Sequence, residues 1–77
     1  SPDYSITEIQ VPEKWIGKSL SEIDVRRTKD VNVVGVRIGE KIQVTIDPEE
    51  PLQEEMMLIM IGSNEALEKF GEKQVRE

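Results

Sequence analysis

The charged residues that could carry chemistry form two groups of opposite sign. One is a basic cluster, Arg26, Arg27 and Lys29, in a chain whose formal net charge is -6. The other is the acidic segment 49–55, whose carboxylates are dense enough to suggest a calcium site. That segment matches no EF-hand loop, lacks the glycine of its sharp turn and is interrupted by Pro51. A solvated connector is therefore expected there rather than a metal site.

The basic cluster permits two interpretations. It follows a predicted helix start, and cations near a helix C-terminus interact favourably with the macrodipole. Its members could therefore be solvated surface charges. Arginine is also suited to phosphate, because its fork donates two parallel hydrogen bonds. The residues by themselves leave both interpretations open for Arg26.

No catalytic constellation can be assembled from this composition. The chain has no histidine and no cysteine, which removes the commonest general base, the best soft nucleophile and most zinc sites. Ser19 and Ser63 have the positions of helix caps, and Ser5 and Ser21 have no partner base. The glycines form no phosphate-binding loop of the G-x-G-x-x-G kind. We expect that the protein is not an enzyme.

Length and charge restrict the remaining functions. The 77 residues predict one domain, 1–77, with its core between about residues 5 and 70. The acidic balance argues against nucleic acid and anionic membrane surfaces, and no apolar run approaches the roughly 20 residues of a membrane span. The missing initiator Met suggests a piece of a longer chain. A small core without disulfides favours pairing with a second copy.

A valine-rich hairpin is the centre of the predicted fold. Residues 31–38 and 42–46 are dense in β-branched side chains, and Asp47-Pro48 ends the second strand. A three-residue loop, Gly39 to Lys41, would pair Ile38 with Ile42, Val36 with Val44 and Val34 with Ile46. Because a two-residue turn would mix core and solvent positions, we expect the three-residue loop.

The other elements follow from local signals. Residues 4–11 alternate like a half-exposed edge strand, and Ser19 to Glu22 form a capping box that starts a helix. Residues 56–61 are apolar on both faces, which predicts a strand covered on both sides or lying at an interface. Ser63 should cap a last helix that Gly71 ends, with Leu67 and Phe70 inside.

Together these elements predict an α+β fold, a small single-layer mixed sheet in the order strand-helix-strand-strand-strand-helix with helices packed on it. Trp15 and Ile16 lie in a predicted loop. They either close one end of the core or belong to a subunit interface, where tryptophan is enriched.

The order of these motifs resembles a known family. The matching positions are Ile9, Trp15 to Leu20, Asp24 to Arg26, residues 31–36, Asp47-Pro48, Leu52 and residues 59–62. In this order and spacing they are similar to the TrkA-C domain, also called the RCK C-terminal domain, over about residues 5 to 70.

The resemblance implies a homodimeric regulatory domain of a cytosolic gating subunit, assembled into a ring that controls a Ktr- or Trk-type potassium channel or transporter. It implies a cytoplasmic protein, peripheral at the inner face of the plasma membrane through the membrane transporter subunit. No cofactor, nucleic acid or direct membrane insertion is implied. The implied regulatory ligand is cyclic di-AMP, bound between two copies.

Carried over by position, the implied ligand residues are Arg26 for phosphate, Asp24 and Asn32 as polar contacts, and Val31, Val33 and Pro48 as apolar and main-chain lining. A two-fold dimer would present Arg26 and Asn32 to equivalent halves of a symmetric dinucleotide. Asp24 would orient the guanidinium. Two alternatives stay open: a purely structural dimerisation domain, and the equivalent domain of another cation transporter such as a sodium/proton antiporter.

Overall fold

A computed structural model describes residues 3–23 and 30–76. Its elements are one antiparallel sheet, two helices and a short 3-10 turn. Their bounds are β1 Tyr4–Gln10, the 3-10 turn Glu13–Trp15, α1 Leu20–Ile23, β2 Val31–Ile38, β3 Lys41–Gln43, β4 Met57–Ser63 and α2 Asn64–Arg76. The strand order is β1-β4-β2-β3, so β4 is central and β1 and β3 are the edges. The α+β class is confirmed, although every pairing in the described part is antiparallel and the sheet is not mixed.

The core covers one face of the sheet. Leu58 and Met60 of β4 are fully buried. Cross-strand partners share a face, so this inner face includes Val36 opposite Leu58 and Val33 opposite Met60. Trp15 and Phe70 close the core with an edge-to-face contact, their ring centroids 5.6 Å apart. Trp15 therefore closes one end of the core, whereas Ile16 is exposed.

The outer face of the sheet carries several apolar side chains that remain exposed: Tyr4, Ile6, Ile42 and Ile61. β4 is thus covered fully on one side only. Glu8 of β1 and Arg37 of β2 form an ion pair across this face, over β4, and the Arg37 guanidinium also donates to the carbonyl of Gly39 at 2.9 Å. The apolar residues stand at even positions at the start of β1 (Tyr4, Ile6) and at odd positions further on (Ile9, Val11). This change of phase in the sequence indicates that β1 has apolar side chains on both faces.

The predicted register of the hairpin is wrong. Ile38 pairs with Lys41 and Val36 with Gln43, which makes a two-residue turn of Gly39 and Glu40. Gly39 has a φ of 60°, as the first central position of a type II′ turn requires, and this turn matches the twist of the strands. β3 also ends at Gln43 rather than Ile46, and Val44 is 76% exposed.

A bulge in β2 also puts Val34 out of phase with the face predicted for it. The register between β2 and β4 shifts between Val33 and Gly35, so that Val34 is an extra residue. The inner face therefore continues from Val33 to Val36 instead of following strict alternation. Because the short edge strand β3 is not needed to complete the core, the turn rather than the apolar pattern sets its register.

Both predicted helix starts are confirmed. The amide of Glu22 donates to Ser19 Oγ at 3.2 Å, and the Glu22 carboxylate accepts from the Ser19 amide at 3.3 Å, which is the reciprocal pair of a capping box. Ser63 Oγ accepts from the amide of Ala66 at 3.1 Å and caps α2. The predicted end of α2 at Gly71 is wrong, since the helix continues to Arg76. A β-carbon on Gly71 would meet nothing within 4 Å, so no packing forces the helix to end there.

Candidate functional site

The loop that contains Pro48 is fixed to the first turn of α1. The amide of Ser21 donates to the carbonyl oxygen of Pro48 at 3.0 Å, and the Ser21 hydroxyl donates to the carboxylate of Glu49. The Glu49 amide in turn donates to the Asp47 carboxylate at 2.9 Å. These bonds hold Pro48 beside the helix start while its ring stays exposed. Pro48 is therefore accessible to a ligand that reaches α1.

The entry into β2 holds three of the predicted ligand residues. Asp30, directly before the strand, has a φ of 67°, the left-handed region. Val31 is 5% exposed, Asn32 is exposed and Val33 is half-buried. Since the Val31 side chain belongs to the core, any contact of this residue with a ligand would involve its main chain.

The register places these three residues on opposite faces of the sheet. Val31 pairs with Gly62 and Val33 with Met60, which puts both on the inner face. Asn32 pairs with Ile61, and Ile61 pairs with Ile6 of β1, so the Asn32 amide lies on the outer face beside exposed apolar residues. The structure therefore brings Asn32 together with the outer face and not with the side chains of Val31 and Val33.

Asp24 and Arg26 lie outside the described residues. They fall between Ile23, the last described residue of α1, and Asp30, the first described residue before β2. Both neighbours of this segment are defined: Ile23 packs against the core and Asp30 is hydrogen-bonded to the end of β4.

Within residues 3–23 and 30–76 the predicted ligand residues are an asparagine, a proline and two valines. No three carboxylates converge there as a metal site. None of the helices in this part is long and apolar enough to cross a bilayer. These predicted ligand residues present an exposed amide, an exposed proline ring and backbone groups. These groups can bind a flat ring or donate hydrogen bonds to it.

The sequence matches the TrkA-C domain over residues 6–74. Over 73 residues it is 31% identical to the Ktr system potassium uptake protein C of Bacillus subtilis (strain 168), a match that covers 95% of this chain and 33% of that protein. The chain therefore spans about a third of the length of this curated relative.

The fold is similar to solved structures of RCK domains. One is the RCK C domain of the potassium transport protein KtrA in complex with cyclic diadenosine monophosphate, with a TM-score of 0.82, 28% identity, and coverage of 94% of this chain and 85% of that one. Another is the GsuK RCK domain, with a TM-score of 0.82 and 22% identity over 97% of this chain and 17% of that one. The second likeness concerns the fold alone.

Proposed function

Because this chain belongs to the TrkA-C domain family, we propose that it is a regulatory domain that binds cyclic di-AMP between two copies of itself and thereby controls a potassium uptake system. One observation carries the proposal: the KtrA RCK C domain, solved with this nucleotide, has the same fold and is 28% identical over 94% of the chain. The relative from Bacillus subtilis is a potassium uptake protein.

The chemistry of the ligand suits a two-fold site. Cyclic di-AMP has two phosphates and two adenines, and a homodimer presents every side chain twice. We assign the phosphates to Arg26, oriented by Asp24, and the adenine edges to the amide of Asn32. Pro48 and the main chain at Val31 and Val33 would complete the lining.

The exposed groups of the described part support this assignment. Asn32 and Pro48 are both accessible, and each stands on a fixed support, β2 for the amide and the capped start of α1 for the proline. Such support matters because ordering a mobile side chain reduces the free energy gained on binding. The buried side chains of the inner face leave little freedom at Val31.

The regulatory mechanism is linkage. A nucleotide that binds only when two copies meet stabilises one dimer geometry, and its differential affinity shifts a cytosolic ring between states that open or close the membrane transporter subunit. The domain itself performs no catalysis in this scheme. It acts in the cytoplasm, at the inner face of the plasma membrane, through its transporter.

A purely structural dimerisation domain is the second candidate. The exposed apolar residues of the outer sheet face favour it, because a second copy that covered Ile6, Ile42 and Ile61 would remove apolar area from water without any ligand. The two candidates differ in whether a nucleotide is bound at all. The equivalent domain of another cation carrier, such as a sodium/proton antiporter, could have either role, nucleotide binding or structural dimerisation.

Isothermal titration with cyclic di-AMP, with cyclic di-GMP as the control nucleotide, tests the proposal. We expect selective binding at one nucleotide per two chains. If no binding is detected at protein concentrations where sedimentation shows a dimer, the result would support only the structural dimerisation role.

Substitution of the assigned polar residues tests the site. Arg26→Ala and Asn32→Ala should each weaken binding by about tenfold or more, because a lost hydrogen bond at a desolvated site costs about 1–3 kcal/mol. Lys69→Ala removes one positive charge from α2, where Lys69 contacts Glu65 at 3.3 Å and is 73% exposed, and should not change the affinity. Equal affinities of Arg26→Ala and the parent would show that the phosphate assignment is wrong.

A further inference from the structure

The junction between β4 and α2 holds together the beginnings of three elements. The amide of Ser63 donates to the carbonyl oxygen of Asp30 at 3.1 Å, and the amide of Asn64 donates to the carbonyl oxygen of Asp3 at 2.8 Å. The Ser63 hydroxyl caps α2. One short stretch, Gly62 to Asn64, thus fixes the entry into β1, the entry into β2 and the start of the last helix.

Gly62 has no room for a side chain at this junction. It is buried in the central strand between Ser5 of β1 and Val31 of β2. A β-carbon at this position would overlap the carbonyl oxygen of Asp30 and would lie 3.2 Å from both Cα and Cγ2 of Val31. These are mostly backbone atoms, so they cannot move aside as the end of a flexible side chain can.

The Asp30 carbonyl occupies that space because of an unusual backbone conformation. Among the described residues, Asp30 is the only one other than glycine with a positive φ, 67°. This left-handed conformation suits aspartate and asparagine but disfavours β-branched residues. Asp30 lies directly before β2, so this conformation sets the direction in which the chain enters the strand, where Val31 and Asn32 follow immediately.

We infer that Gly62 is a positioning residue for the nucleotide site: with Asp30 it forms a backbone lock that sets where Asn32 stands on the outer face. The inference rests on the proposed function for its ligand. On this view the affinity for the nucleotide depends on a glycine that touches no ligand. A side chain at residue 62 would displace the Asp30 carbonyl, and the start of β2 would move with it. Precise placement of a recognition group needs such support.

Four single variants test the lock in two matched pairs. Gly62→Ala adds one methyl group where it meets Asp30, and Gly71→Ala adds the same group on α2, where it meets nothing within 4 Å. Asp30→Val opposes the positive φ without touching Gly62, while Asp30→Asn keeps the conformational preference and removes the charge. Each variant is titrated with cyclic di-AMP at a temperature at which circular dichroism shows it fully folded.

We expect Gly62→Ala and Asp30→Val to weaken binding about tenfold, as for a misplaced hydrogen bond, and Gly71→Ala and Asp30→Asn to bind within about twofold of the parent. A purely structural role would lower the melting temperature and leave the affinity of the folded protein unchanged. If fully folded Gly62→Ala binds like the parent, the positioning role is refuted.

Amide resonances separate this inference from the proposed function. In ¹H–¹⁵N spectra without nucleotide, Gly62→Ala should shift the resonances of Val31, Asn32 and Val33, and Gly71→Ala should leave them in place. If the parent binds no cyclic di-AMP, the proposed function fails while these shifts still establish the lock. Unchanged resonances in Gly62→Ala would overturn the lock whether or not the parent binds the nucleotide.

Discussion

At the scale of single residues, the domain depends on a few large side chains, since its 77 residues contain one Trp, one Tyr and one Phe. Two of the three aromatic residues, Trp15 and Phe70, meet edge to face at the end of the core and are 7% and 5% exposed. Tyr4 is exposed on the outer face. Closure of the core therefore depends on the contact between Trp15 and Phe70.

Phe70→Ala should lower the free energy of unfolding by about 3–4 kcal/mol, because it removes a buried ring and leaves a cavity against Trp15. Urea unfolding followed by Trp15 fluorescence measures the loss. Phe70→Leu, which retains most of the apolar volume, is the control and should cost clearly less. Equal stability of the Ala variant and the parent would show that the ring contact does not close the core.

At the scale of elements, caps and turns define where helices and strands begin and end. Ser19 is only 2% exposed although it is polar, and its amide and hydroxyl are both hydrogen-bonded to Glu22. The turn between β2 and β3 depends in a similar way on a single residue, Gly39, whose φ of 60° most side chains avoid.

Ser19→Ala should destabilise the domain by about 1 kcal/mol through loss of the cap. Ser19→Asp keeps an acceptor for the Glu22 amide and should recover part of that loss in denaturant unfolding. The cap would be unimportant if both variants unfolded at the same urea concentration as the parent.

Two glycine variants should change stability in opposite directions. Gly39→Ala forces a side chain into positive φ and should cost about 1 kcal/mol, whereas Gly71→Ala, inside helix α2, should stabilise by about 0.5–1 kcal/mol. Melting temperatures of the two variants, compared with that of the parent, measure the loss and the gain of stability in one experiment. A stabilised Gly39→Ala would contradict the two-residue turn.

At the scale of the whole molecule, one sheet face carries the buried core, whereas apolar residues of the other face are exposed in the described part of the chain. The exposed residues Ile6, Ile42 and Ile61 share this outer face with Asn32, a residue assigned to the ligand. A dimer that binds one nucleotide would link the oligomeric state of the protein to its ligand.

Cyclic di-AMP should therefore raise the melting temperature and strengthen dimerisation together. A ligand at 100 times its dissociation constant adds about 2.7 kcal/mol to a protein that binds it only when folded. Sedimentation over a series of protein concentrations, with and without nucleotide, measures the dimerisation constant in both states. An unchanged constant alongside clear binding would place the ligand within one copy and refute the bridging site.

The sequence alone predicts the α+β class, the existence of a hairpin at β2 and β3, the edge position of β1 and both helix caps. These features depend on residues close together in the chain, as in Ser19 with Glu22 or Ser63 with Ala66, so their signals are local. The motif order was also sufficient to identify the family, which the match over residues 6–74 confirms.

The strand register and the faces of the sheet depend on the tertiary structure. The bulge at Val34 changes the phase of β2 through its pairing with β4, so alternation within β2 could not predict which side chains face inward. The same pairing puts Asn32 on the outer face and Val31 and Val33 on the inner one. The crowding of Gly62 against Asp30 arises between segments far apart in the chain. Only the folded sheet brings them into contact.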